Sequence, residues 1–266
     1  MKKVIITAFL AVAAVSSLAA WQTRGRRGSV TGRQVLYDFR KESVDSSRSS
    51  LAPALERRII SAVFDSYLKR PEDCKTVEEA AGTDDYLAAA RKAGQFVPSV
   101  VARSEGSFTA AGERETAYII SVGECNASHA DNFGTKRLVV FSGQKLVADV
   151  DTDFKSSILR TYDLDHDGVD ELLLGGGDMS QGIVVEVASL VELRAGRLRV
   201  IKDFGKTRED SCNAELSDSQ LRASVISYAA ARGKMPEFHV DNYGAGCSPN
   251  GEIAKWSFLS SGEMQD

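Results

Sequence analysis

Past its first twenty residues the chain has no apolar run long enough to cross a bilayer, so no second membrane anchor is expected. It also lacks a surplus of positive charge. Its 33 Lys and Arg stand against 37 Asp and Glu, a formal charge of −4, whereas a nucleic-acid binder shows a basic domain or stripe. No Cys-x-x-Cys or His-x-x-x-His spacing occurs among its 4 cysteines and 3 histidines. Zinc is left with Cys125 and His129, four apart in a Gly- and Asn-containing turn, a poor start for a tetrahedral site. No strand–helix–strand alternation appears, which disfavours a doubly wound nucleotide-binding sheet. The glycines of 175–182 lack the lysine and helix of a phosphate loop, so a mobile strand connection is expected there. Ser180 has no Gly-x-Ser-x-Gly setting, and His129, His166 and His239 are scattered. Glu113 and Glu115 could pair as acids in glycoside hydrolysis, but they sit in a charged turn that reads as solvated.

What is present begins with a tripartite leader. Lys2 and Lys3 precede an apolar run over 4–15, and Ser16, Ser17, Ala19 and Ala20 follow, the pattern of a secretory signal. Cleavage after Ala19 puts Ser17 and Ala19 at the two small-residue positions, so 1–19 is read as a signal peptide and the protein as periplasmic or secreted. An uncleaved anchor is the alternative, and membrane contact is expected only in that case. No cysteine follows the run, so a lipid anchor is not expected. Residues 20–50 read as a flexible linker, basic and glycine-bearing at its start and serine-rich at its end, with a short strand over 34–39.

An even number of cysteines in an oxidising compartment points to two disulfides, for which three pairings are possible. Cys212 and Cys247 both lie in turn-rich segments, which makes their pairing the first expectation and leaves Cys74 for Cys125. A bridge closing about 35 residues stabilises by about 3–4 kcal/mol in the chain-entropy picture.

The fold class expected is α+β: a helical segment over 51–95, then a predominantly antiparallel β-domain over 96–266, of meander, propeller-like or sandwich type. One helix is expected over 53–68, where Leu55, Ile59, Val63 and Tyr67 form a stripe at four-residue spacing, and another over 84–93 between Thr83 and Gly94. From Phe96 on, short β-type runs alternate with turn residues, the clearest at 117–122, 137–141, 145–150, 158–162, 171–174, 183–193, 198–203, 223–230, 237–241 and 254–259. Glycine-bearing connections at 142–144, 194–197 and 232–233 suit hairpins.

One segment carries chemistry. Asp163-Leu164-Asp165-His166-Asp167-Gly168-Val169-Asp170-Glu171 sets carboxylates at loop positions one, three and five, a glycine at six where the chain must bend, and an acid at nine. Calcium takes six to eight oxygens, and a short loop supplies them only when alternate side chains turn inward around such a bend. The expected ligands are Asp163, Asp165, Asp167, the Val169 carbonyl and Glu171, the last directly or through water. Leu174 at position twelve removes the bidentate glutamate of an EF-hand, and the flanks 157–162 and 171–174 read as strands. The alternative, an acidic turn that binds nothing, must bear like charges that repel by about 1 kcal/mol at 4 Å even in water.

The loop resembles the FG-GAP repeats of integrin-type propellers and their bacterial relatives, where Asp-x-Asp-x-Asp-Gly-x-x-(Asp/Glu)-Leu joins two strands. The match covers 162–174 and extends at most through the glycines at 175–177, a single copy. It implies Ca2+ in a strand-connecting clip. The functional expectation is an exported, calcium-binding, disulfide-stabilised β-domain acting as a binding or interaction module toward a protein or glycan, with no nucleic acid and no catalytic constellation. An exported hydrolase with a loop-borne site is the alternative.

Overall fold

The computed structural model describes residues 32–44, 51–67, 98–121, 136–214, 219–229, 233–247 and 255–264. The expected signal at 1–19, the second helix at 84–93, and Cys74, Cys125 and His129 lie outside these residues. Among the described residues the structure is mostly antiparallel β with one helix.

Period-two alternation of apolar residues sets the layers. In β3 (Glu115–Ser121), Ala117 and Ile119 face one way and Tyr118 and Ile120 the other. In β4 (Lys136–Ser142), Leu138 and Val140 oppose Val139 and Phe141 in the same fashion. With β2 (Ser99–Gly106) and β5 (Lys145–Asp151) they form a four-stranded antiparallel sheet in the order β2-β3-β4-β5, and apolar packing covers both its faces. Onto one face packs α1 (Pro53–Tyr67) through Leu55, Ile59 and Val63, against Val100, Tyr118, Ile120, Val139 and Phe141. Glu56 in the first helical turn accepts the Val100 N–H at 3.0 Å and ties the helix to β2.

The other face meets a larger sheet in which β6 (Ser157–Tyr162), β7 (Glu171–Ser180), β8 (Ile183–Arg194), β9 (Arg197–Asp210), β10 (Gln220–Ala229), β11 (Glu237–Gly246) and β12 (Ser257–Ser261) lie side by side in chain order, each antiparallel to the next. Leu172 and Leu174 of β7 and Val191 and Leu193 of β8 pack on Ala117, Ile119, Leu138 and Val140. Leu173, Ala188 and Leu190 alternate to the opposite face and join Leu36, Phe39, Phe204 and Ile226 in a second core.

That second core exists because the large sheet curls into a half-barrel. The end of β9 pairs with Leu221–Ala223 of β10 and then leaves it, and β1 (Gln34–Asp38) takes the vacated side of β10 at Val225–Tyr228. The curl brings edge strand β6 back to β1. Tyr162 of β6 donates its hydroxyl proton to the Leu36 carbonyl, while Arg160 pairs with Glu42 and lies 5.2 Å from the centre of the Tyr37 ring. This seam is made by side chains, not by a ladder. β1 thus belongs to the main sheet, although it falls inside the stretch 20–50 whose composition suggests a tether.

The expectation of a mobile connection at 175–182 is overturned. β7 continues through the glycines to Ser180, and only Gln181 and Gly182 turn the chain into β8. Gly176 is required by close approach: a Cβ there would stand 2.9 Å from the Phe154 ring and 3.0 Å from the Phe154 carbonyl oxygen. β9 likewise runs beyond the expected 198–203 to Asp210, and β2 falls within the expected β-domain but outside its clearest runs. Hairpins do form between β4 and β5 and between β8 and β9 at the expected turns. A disulfide joins Cys212 to Cys247, as the turn-rich settings suggested, and fastens the β9–β10 connection to the end of β11.

Candidate metal centre

The acidic loop spans the gap between β6 and β7, whose last and first residues, Tyr162 and Glu171, are ladder partners. Two forces shape it. Leu164 is buried in the half-barrel core and anchors the start of the loop. At its far end Asp170 exchanges two bonds with Ser107 of the β2–β3 connection: its backbone N–H donates to the Ser107 carbonyl at 2.7 Å, and its Oδ2 accepts the Ser107 N–H at 2.6 Å. Between these anchors the chain reverses sharply, with positive φ at His166 (62°) and Gly168 (85°). The second is the bend that the sequence reserves for glycine, since a Cβ is strained at such an angle. The side chain of His166 is exposed.

The turn converges three carboxylates. Asp163, Asp165 and Asp167 each offer an oxygen, and these oxygens lie within 4.8 Å of one another. Oxygens bound to one calcium at ~2.3–2.6 Å lie at most about 5 Å apart, so the spacing suits such an ion. Asp165 Oδ1 accepts the Asp167 N–H at 3.2 Å, and Asp167 Oδ1 accepts the Val169 N–H at 2.8 Å, which leaves one oxygen of each for a ligand. Asp163 Oδ1 is buried and has no hydrogen-bond partner, alone in this respect among the described side chains. An orphaned anionic oxygen is costly unless something pairs with it. A cation does so, and carboxylate oxygens are the ligands of a hard one.

Glu171 is placed differently from the triad. It opens β7, is buried, and its Oε2 accepts the Leu164 N–H at 2.8 Å. Burial pushes its carboxyl up to about 7, the charges of Asp165, Asp167 and Asp163 push the same way, and the Leu164 N–H opposes them. Glu171 thus secures the loop from below, and its oxygens do not share the triad's mutual spacing. Val169 is half-buried beside it.

No family model, curated protein or solved structure matches the chain. The chemistry of the loop therefore rests on its own geometry. Among the described residues no helix is long and apolar enough to cross a membrane.

Three neighbours of the loop were not signalled by local sequence. Ser107 lies 63 residues before its partner Asp170. Arg194, at the β8–β9 turn, reaches Asp167 Oδ2 at 3.3 Å. Glu115, read as a solvated turn acid, is instead buried; it accepts the N–H groups of Phe108 and Thr109 at 2.6 and 2.7 Å and the Thr109 hydroxyl, and so pins the connection on which the acidic loop rests. Its neighbour Glu113 is exposed.

Proposed function

We propose that the β6–β7 loop is a calcium clip and that the protein is an exported, disulfide-stabilised binding module whose β-domain the ion braces. The observation that carries the calcium reading is the triad of Asp163, Asp165 and Asp167 around the unpaired, buried Asp163 Oδ1. Asp163, Asp165 and Asp167 are the side-chain ligands in this reading, the Val169 carbonyl supplies the seventh loop position, and Glu171 contributes through water or after a rotation of its side chain. The ion neutralises a cluster that, among the described residues, is otherwise met by the exposed guanidinium of Arg194. Its role is structural: it fastens the turn that joins the half-barrel to the four-stranded sheet through Asp170 and Ser107. In this reading, on the strength of the motif at 162–174, the strand-flanked loop is of the FG-GAP type, carried on a curled sheet. Export rests on the leader at 1–19, and a protein or glycan is the class of partner that an exported β-module of this kind serves.

Thermal unfolding with calcium and with chelator tests the clip. For a site with Kd of ~0.1–1 mM, calcium at ten to a hundred times Kd adds about 1.4–2.7 kcal/mol. Asp163→Asn abolishes the increment and leaves the chelated protein no less stable, since it removes an unpaired buried charge. A melting temperature indifferent to chelation in the wild-type protein, with no calcium by mass measurement, rules the clip out.

A further inference from the structure

The metal loop faces an internal rival for its cation. Asp167 Oδ1 is committed to the Val169 N–H, so Oδ2 is the oxygen left to bind a metal. That same oxygen is the one Arg194 contacts, Nη2 to Oδ2 at 3.3 Å. Arg194 does not hang free. Its Nε is held 2.8 Å from Oε1 of Glu192, a side chain only 3% exposed, and Arg199 bonds to the same Oε1. Burial raises the Glu192 carboxyl, but the hydrogen bonds from Arg199 and Arg194 outweigh it and hold it below the usual carboxylate range. Two guanidiniums thus serve one buried anion, and the charge that Glu192 does not neutralise is turned toward the loop.

We propose that Arg194 is a built-in counter-cation that competes with the metal ion for Asp167 Oδ2 and thereby sets the affinity of the loop, an inference that rests on the calcium reading above. With no ion bound, the guanidinium relieves part of the repulsion among Asp163, Asp165 and Asp167. When an ion enters, the Nη2 end of Arg194 leaves Asp167 while its Nε stays on Glu192, so the displacement is a pivot and requires no movement of the β8–β9 turn. A monovalent cation gains little by replacing a charge already in place. A divalent one gains a full extra charge, which gives the loop a preference for divalent ions.

Calcium titration of the full chain by calorimetry separates these ideas. Arg194→Gln is expected to tighten calcium binding roughly two- to five-fold, the range of a half-exposed ion pair, and to lower the melting temperature in chelator. Arg199→Gln is the matched control, because Arg199 also lies in the field of Asp165 and Glu171 yet makes its bond to Glu192 and not to Asp167. It is expected to change affinity less. Arg194→Lys, which keeps the charge without the two-ended reach, is expected to fall between Arg194→Gln and wild type. Unchanged affinity in Arg194→Gln, or equal tightening in Arg199→Gln, overturns the competition and leaves the calcium clip standing. Absence of binding in the wild-type protein overturns both.

Discussion

Glu115 shows how far one side chain can be from its apparent setting. Between Arg114 and Thr116 it looks solvated, yet Phe108, fully buried in the layer between the sheets, brings the start of the 107–114 connection down onto it. Its carboxylate then satisfies two backbone donors and a hydroxyl at once. Glu115→Ala strands those donors and is expected to cost about 2–4 kcal/mol, read as a lower urea midpoint, with a weaker calcium increment because Ser107 no longer holds Asp170 in place. At this scale the candidate centre was legible where it is local. Alternate aspartates and a glycine at the sixth position announce the turn and its converging oxygens, since side chains two apart in a tight loop point the same way. Arg194, Ser107 and the burial of Glu171 were not legible, because each depends on a strand brought in from elsewhere.

Among elements, alternation carried most of the information. Tyr118 against Ile119, and Leu172 against Leu173, assign residues to opposite faces wherever both faces are apolar. Glycine misled. Gly175 and Gly176 suggest a break, yet they are buried in β7 because Val44, Leu159 and Phe154 occupy the space a side chain would need. The β6–β1 seam gives this scale its own test. Burial chiefly raises the hydroxyls of Tyr162 and Tyr37, each to about 12, with Glu42 adding to the effect at Tyr37. Their folded values exceed the ordinary 10.0, so the stability they contribute is complete below about pH 10 and is lost as pH rises from about 10 to 12. Melting temperature followed over that range, together with tyrosinate absorbance, is expected to fall as the two groups ionise. Tyr162→Phe is expected to lose about 1 kcal/mol at neutral pH, with the bond to the Leu36 carbonyl gone, and to show a shallower alkaline decline.

For the molecule as a whole, the order of neighbouring strands was readable from short glycine-bearing turns, while the curl was not. Twist accumulated over seven strands, and the departure of β9 from β10, leave no local signature. The disulfide lies at the end where β9 and β10 still pair, tying their connection to the end of β11. Replacing Cys212 and Cys247 together by serine is expected to cost about 3–4 kcal/mol in denaturant unfolding; in the native protein, alkylation under denaturing, non-reducing conditions is expected to leave both unlabelled. The placement of β1 bears on how the chain is made. Its Gln34 meets Tyr228 across 194 residues, and closing so long a loop is entropically expensive and slow. During synthesis β1 emerges early and waits, unpaired, until β10 has followed it. Among the described strands, the one made first can thus join the half-barrel only once β10 is made.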